Sequence, residues 1–566
     1  MYFSSRIDYR DHRITGDAKF VWELNRHQHL VLLGRAYRLT CDTRYAAKAL
    51  EHIESWIRQC PMGLGMNWRS PLELAVRLIN WVWTYELLCP SGLVTKEHAA
   101  MVLPVAYRHL WSIARSYSRY SSANNHRIGE AAGVYIGSSY FQGFSETSRW
   151  RTQSKDILVR EMLRQVNEDG GHCELATCYH LFVLEFFLLA ALVGQNLGDD
   201  FPQDYWGRLE KMLEYLATLS EGGSIPMFGD SDDAYVLNLG GRQNHAASLL
   251  ALGAAVFRRA DLAPATPAHT EPVFWLLGPK GWEDLSQLGR RSKGRSIRSA
   301  AMPESGYYLL QCGHRDEQDR ISVAFDCGDL GFGSIAAHGH ADALSFTLRA
   351  FGEDLFVDPG TYDYFTYPQW RSYFRSTAAH NTIVIDGKDQ SEMLGLFLWG
   401  RRAKCRCLRW EPSENGGTVG GEHDGYSCLA DPVIHRRTLT LDGEKRVVEI
   451  LDELSGEKEH NLDMYLHLAE HCVLEPVDEH RYFIHTLGGT VCLQMDPRLT
   501  VQVVSGSNTP PLGWVSRGYH RKQRTTTCKG SCRWSGRLSL LTRIDLRATG
   551  KAAGNIGFSS AGIAAG

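Results

Sequence analysis

Residues 263–272, Ala263-Pro264-Ala265-Thr266-Pro267-Ala268-His269-Thr270-Glu271-Pro272, divide the chain into two halves with different periods. Before this stretch, apolar residues recur every three or four positions. Tyr45, Ala49, Ile53 and Trp56 share one helical face, which Pro61 and Gly63 bring to a stop. Ser70-Pro71-Leu72-Glu73 reads as a capping box with proline in the first helical turn, opening a helix through Val76, Ile79 and Trp83. Further helices are predicted near 96–118 (with Pro104 as a possible kink), 127–142, 154–167, 176–195, 205–220 and 244–258. After the proline-rich stretch the period becomes two. Ile321, Val323 and Phe325 alternate with smaller residues, as do Leu344, Phe346 and Leu348. Leu439-Thr440-Leu441-Asp442-Gly443 followed by Val447-Val448-Glu449-Ile450 reads as a hairpin with an Asp-Gly turn. The expected fold is a multidomain α + β chain. Stacked helical hairpins without a fixed-length repeat over 1–262 favour an α/α toroid over a regular solenoid. A linker over 263–298, an antiparallel β-sandwich over 299–548 and a flexible tail over 549–566 complete it.

Composition narrows the function classes. The 566 residues hold 61 Lys and Arg against 64 Asp and Glu, a formal charge of −3, so no global basic field marks a nucleic-acid binder. Hydrophobic residues at 43% exclude a disordered or fibrous chain. The 14 cysteines are too sparse for a disulfide framework, and Cys405/Cys407 and Cys528/Cys532 lack the paired spacing of a structural zinc site. Arg6, Asp8, Arg10, Asp11 and Arg13 leave no apolar signal-peptide core, and the uncharged run Phe186 to Val193 is short for a bilayer span. The expectation is a soluble chain without a membrane span. Phosphate loops, nucleophile elbows and metalloprotease helices are missing.

Four clusters bear chemistry. Asn124-Asn125-His126 precedes a helix and suits an N-cap. Asp169-Gly170-Gly171-His172-Cys173-Glu174 leads into Tyr179-His180 at the start of an apolar helix, where a tyrosine is ordinarily half-buried with a bonded hydroxyl. Met227-Phe228-Gly229-Asp230-Ser231-Asp232-Asp233 reads as a loop with Asx turns. In the second half, His338-Gly339-His340-Ala341-Asp342 precedes one strand, Val357-Asp358-Pro359-Gly360-Thr361-Tyr362 ends another, and Ala379-His380-Asn381-Thr382 opens a third. Histidines at i and i+2 lie on one side of an extended chain. An aspartate and a third histidine can complete a three-ligand zinc site, or each group can satisfy its own strand end.

The strings at His338–Phe346, Val357–Tyr362 and Trp370–Glu392 resemble heparinase II/III-type polysaccharide lyases. So do Asn67–Arg77, Asn124–His126 and the segment ending at Tyr179-His180. The resemblance implies an α/α toroid joined to a β-sandwich with the active-site cleft between them, acting on uronate-containing polysaccharides by β-elimination. It implies Asn125 and His126 as the pair that neutralises the uronate carboxylate, Tyr179 as the proton donor, and His338 as base or its partner. Structural zinc would be held by His340, Asp358 and His380. Arg77, Arg371 and Arg375 are candidates to bind carboxylate or sulfate, Trp68 and Trp399 to stack on sugars, and Glu174 to contact substrate; for the arginines and tryptophans, packing is the alternative. The basic run Arg401, Arg402, Lys404, Arg406 and Arg409 can guide a polyanion or form a solvated face. The resemblance implies a periplasmic or secreted protein, whereas the lack of an apolar signal core at the start of this sequence leads to the alternative expectation of a truncated start or a cytoplasmic chain.

A glycosaminoglycan is the expected substrate, with alginate next. Two other classes compete. A glycoside hydrolase needs two flanking carboxylates, for which Glu174 with Asp230 or Asp232 are available, but that reading leaves Tyr179 and His338 unused. A non-catalytic polysaccharide-binding protein is favoured where Tyr179 or His338 is lost; both are present.

Overall fold

The computed structural model describes residues 2–221, 223–240, 244–263, 270–289, 297–314 and 319–547. The expected tail and, within the expected linker, residues 264–269 and 290–296 lie outside the described residues. In the first half the helices alternate between an inner and an outer layer. Gln28–Thr40, Pro71–Leu88, Asn125–Tyr140, Thr177–Asn196 and His245–Phe257 pack against one another in chain order. Thr43–Gln59, Lys96–Arg115, Thr147–Gln165 and Gln203–Ser220 return the chain outside them. Several of the inner helices, Thr177–Asn196 above all, are apolar almost all round, as a helix buried on every side must be; the outer ones are amphipathic. Thr177–Asn196 has the length and apolarity to cross a bilayer, yet most of it is buried in this core. Because each outer helix reverses the direction, the inner helices start at one end of the toroid.

One inner pair is unusually close. Gly129, Gly133 and Gly137 form a stripe on Asn125–Tyr140. A Cβ at Gly133 would sit 2.5 Å from the Ala75 side chain and 2.7 Å from its Cα. The stripe lets the helix lie on Pro71–Leu88 and thereby fixes the position of its first residue, Asn125.

Two local expectations, the Ser70 capping box and the unstructured linker, differ from the structure. Ser70 precedes the helix, but its side chain makes no capping bond. Glu73 turns instead to Arg26 in a buried bidentate pair at 2.8 and 2.9 Å. The helix Lys96–Arg115 passes through Pro104 as one element. The expected linker contains a helix, Glu271–Gly289, packed on His245–Phe257, so the helical layer extends past 262. Pro272 occupies its first turn, where a missing N–H is harmless, and Gly278 (φ 73°) absorbs the break before Pro279.

The second half is an antiparallel sandwich. One sheet runs in chain order through Ala300–Met302, Tyr307–Cys312, Ile321–Asp326, Phe346–Ala350 and Glu353–Phe356. The other is built around the long pair Val447–His467 and Thr526–Asp545, with Val433–Asp442 alongside. Asp442 pairs with Val447 across the expected Asp-Gly turn. Leu344 lies outside the strands with φ 59°, in the turn that follows the His338–Asp342 segment.

The halves meet through apolar clusters, Phe228 stacking on Tyr307 in one of them, and through polar contacts. Asp169 accepts from the Ser305 N–H and hydroxyl at 2.7 Å each, and the Tyr307 hydroxyl donates to the Leu175 carbonyl at 2.7 Å. His520 Nε2 lies 2.9 Å from Asp17, the N-cap of helix Ala18–Asn25, and 2.8 Å from Asp363. Burial opposes charge on this imidazole, but the two carboxylates prevail and raise its pKa from 6.5 to about 9. A value raised on folding gives stabilisation that is complete below 6.5 and lost as pH rises through about 9. His520→Gln is therefore expected to lower Tm at about pH 6, with the difference from wild type closing by about pH 10. A difference independent of pH contradicts the ion-pair account.

Candidate active site

The site forms where two inner-helix starts meet the sandwich loops. Asn124 is the N-cap of helix Asn125–Tyr140, its side chain accepting the His126 N–H at 3.2 Å. That frees Asn125, in the first turn, to point its amide at Glu174. Nδ2 donates to the two carboxylate oxygens at 2.9 and 3.1 Å, while the buried Oδ1 has no partner. Glu174 is placed by a tight approach to helix Thr177–Asn196. Leu175 takes φ 53°, and Gly170 (φ 93°) passes the Lys211 carbonyl so closely that a Cβ would lie 2.0 Å from it. Tyr179 follows in the first turn of that helix. Its ring stacks on His338 from the sandwich, centroids 3.8 Å apart and planes at 22°. Its hydroxyl lies 3.1 Å from that of Tyr364. Two helix N-termini thus present their positive ends to one cluster of side chains, which favours an anion there.

Asp230, read from sequence as an Asx-turn residue, is instead the hub of the site. It is 0% exposed. Both its oxygens accept from the Arg371 guanidinium; His338 Nδ1 donates to Oδ2 and His340 Nε2 to Oδ1, each at 3.0 Å. Its own N–H donates to the His338 carbonyl at 2.9 Å. Burial alone raises a carboxyl pKa, but the Arg371 charge and the hydrogen bonds from both histidines hold Asp230 well below the usual range. In the neutral ring, an ionised acceptor at Nδ1 leaves His338 Nε2 as the nitrogen with the lone pair, 3.9 Å from Glu174.

Burial also sets the protonation of the neighbours. It raises Tyr179 well above its ordinary value, with Asp232 and Asp230 adding to the effect, and it raises Tyr364 likewise, so both phenols hold their protons at neutral pH. It pushes the Glu174 carboxyl up. Burial lowers His126 to about 4, so it is a neutral imidazole.

His340, Asp358 and His380 come together as expected, all buried, with one candidate ligand atom from each within 4.8 Å of the others. His340 Nδ1 and His380 Nε2 are buried without hydrogen-bond partners, while each opposite nitrogen faces a carboxylate, Asp230 or Asp358. A bare ring nitrogen whose partner N–H is held by a carboxylate is the arrangement of a metal-bound histidine. Two imidazoles and a carboxylate fit zinc.

The other substrate-contact candidates have protein partners. Arg77 is buried in the toroid, over the Trp56 ring at 4.3 Å and bonded to the Asn25 and Asn67 carbonyls and to His109; Trp68 packs on His109. Arg371 is committed to Asp230 and to the Leu396 carbonyl. Arg375 bonds the Gly395 and Leu396 carbonyls beneath Trp399, whose Nε1 donates to the Gly339 carbonyl at 3.1 Å. For these five the packing alternative is the one seen: Arg371, Arg375 and Trp399 brace the site, and Arg77 and Trp68 brace the toroid. In the basic run, Arg406 and Arg409 pair with Glu422 and Glu411 on a largely exposed strand. The carboxylate pair of the hydrolase reading is not free either, since Asp230 is saturated and Asp232 faces Lys19 at 3.5 Å. Tyr364 was missed. Its signal is the second tyrosine of Gly360-Thr361-Tyr362-Asp363-Tyr364.

A helical toroid and an antiparallel sandwich sharing one tyrosine–histidine site define the toroid-plus-sandwich class. Within it, this chain belongs to the heparinase II/III family: the family model described as Heparinase II/III N-terminus matches residues 1–246, and that described as Heparinase II/III-like, C-terminal matches 294–557. It is 24% identical over 493 residues to a heparin-sulfate lyase of Bacteroides stercoris, covering 80% of this chain and 65% of that protein. It is 25% identical over 467 residues to a heparin-sulfate lyase of Pedobacter heparinus, covering 80% and 63%. The chain thus spans just under two thirds of the length of these relatives. A crystal structure of heparinase III shares the fold with a TM-score of 0.74 at 19% identity, covering 93% of this chain and 77% of that one.

Asp230→Asn leaves a buried guanidinium without its counter-charge. Unfolding in denaturant is expected to show a loss of about 3–5 kcal/mol. A loss below about 1 kcal/mol, the scale of an exposed pair, contradicts the hub role.

Proposed function

We propose that this chain is a polysaccharide lyase that cleaves a uronate-containing glycosaminoglycan, heparan sulfate first among candidates, by β-elimination. The stack of Tyr179 on His338, joining toroid to sandwich, is the observation that carries the reading. Family membership and the names of the curated relatives support it.

Elimination removes the C5 proton of the uronate and expels the oxygen on C4. The C5 proton resists removal while the adjacent carboxylate is ionised, so the site must first neutralise that charge. Asn125 Nδ2 and the neutral His126 ring are the donors for this, aided by the two helix N-termini. His338 Nε2, with its lone pair directed away from Asp230, takes the C5 proton. Tyr179, a protonated phenol beside Tyr364, delivers one to the leaving oxygen. Zinc held by His340, Asp358 and His380 supplies structural cross-linking of three loops, steadying the segment that bears His338.

Digestion of heparan sulfate is expected to raise ultraviolet absorbance as conjugated 4,5-unsaturated ends form, with fragments lighter by one water than hydrolytic ones. Saturated, water-added ends contradict the reading. Tyr179→Phe is expected to keep the wild-type Tm and lose about 10²–10⁴-fold in turnover. Retention of more than about a tenth of the activity removes Tyr179 from the acid role.

For the metal, His340→Ala is expected to lose bound zinc and melt earlier, whereas His338→Ala keeps the zinc and loses turnover. Metal analysis that finds no zinc in the wild type contradicts the zinc proposal and leaves the elimination chemistry standing.

A further inference from the structure

The loop that supplies Tyr364 carries a second set of groups on its other side. Tyr362 is held at φ 68°, a backbone conformation unfavourable for an aromatic residue and a recurrent mark of functional loops. Its ring clusters with two others: Tyr367, centroids 6.0 Å apart at 22°, and His520, 5.6 Å at 28°, with Tyr367 and His520 themselves 5.8 Å apart. The Lys522 ammonium sits among three rings, 4.7 Å from the centroid of Tyr362, 4.4 Å from Trp370 and 4.9 Å from Trp514. Nearby cations are neutralised: Arg517 by Glu470, His520 by Asp17 and Asp363, Arg521 by Asp233. Among the described residues, no carboxylate pairs with Lys522; its recorded neighbours are the rings. Tyr367 is 45% exposed, while Tyr362, Trp370, Trp514 and Lys522 are half-buried, so the patch is open to solvent.

We propose that this aromatic cluster and Lys522 form a binding subsite for an anionic sugar unit of the polysaccharide, remote from the bond that is cleaved. An aromatic face accepts the apolar face of a pyranose ring. A partly desolvated ammonium with no carboxylate partner gains most from a carboxylate or sulfate. Continuity places the subsite beside the cleft, since only Asp363 separates Tyr362 from Tyr364, the neighbour of Tyr179. Packing alone asks only for the Lys522 stem, which a methionine supplies as well. The substrate class rests on the elimination reading above.

The test uses the full chain carrying Tyr179→Phe, so that oligosaccharides are bound without being consumed. Heparan sulfate fragments from disaccharide to dodecasaccharide are titrated by calorimetry and by the fluorescence of Trp370 and Trp514. Lys522→Met, which keeps the stem against the rings, is expected to weaken the longest fragments about tenfold and to change disaccharide affinity by less than about twofold. Lys522→Arg is expected to restore most of the loss, and Trp370→Phe to reduce the fluorescence change on binding the long fragments. Equal affinity of Lys522→Met and its parent at every length overturns the subsite. Product analysis on the wild type reads the elimination separately. Unsaturated ends combined with Lys522-independent binding refute the subsite alone. Length-dependent binding through Lys522 without unsaturated ends refutes the elimination and leaves the subsite standing.

Discussion

One carboxylate organises the site. Asp230 comes from a toroid loop, yet its partners Arg371, His338 and His340 all belong to the sandwich. A charge removed from water must be matched almost completely, and Asp230 is matched by a bidentate guanidinium and two ring N–H groups. Arg371 is completed in turn by the Leu396 carbonyl and by the rings of Tyr364 and Phe397, each 4.9 Å away. Neither half of the chain can build this centre alone. The seam between them is therefore where the reactive groups stand, and its geometry passes directly into the orientation of His338.

Around that hub, burial decides which groups carry protons. The phenols of Tyr179 and Tyr364 are kept neutral, His126 is kept neutral, and the Glu174 carboxyl is shifted toward its protonated form. The result is a cluster of hydrogen-bond donors at the ends of two helices, facing His338. Such a cluster suits a substrate that arrives with a carboxylate and develops more negative charge as it reacts. Deeper structure serves the same end. The glycine stripe at Gly129, Gly133 and Gly137 sets the depth of Asn125, and Trp399 with Arg375 braces the turn at Gly339 between the two histidines.

Much of this was legible in the sequence. The change from a period of 3.6 to one of 2 located both layers, because each follows directly from which face must be buried. The ordered motifs around Asn125, Tyr179, His338, His340, Asp358 and His380 named the groups that converge. What escaped was long-range pairing. Nothing local distinguishes Asp230 from an ordinary Asx turn, because its partners lie more than 100 residues away. Arg371, Arg375 and Arg77 looked like ligand-binding cations because a sequence does not show the carbonyls and carboxylates that satisfy them. Glu73 fits a capping box by spacing, but the buried Arg26 holds it more strongly than an N–H at a helix start. The helix Glu271–Gly289 was hidden by prolines that act as breakers in a helix interior and are tolerated in a first turn.

The proposed role of His338 as base depends on a toroid carboxylate, Asp230, setting the tautomer of this sandwich histidine. Nitrogen NMR of the histidine-labelled protein, with the His338 signal identified by its loss in His338→Ala, reads this directly. The expected result is a proton on Nδ1 and a bare Nε2 in the wild type, with that pattern altered in Asp230→Asn. A proton on Nε2 with a bare Nδ1 facing Asp230, or a tautomer indifferent to the Asp230 substitution, contradicts the account.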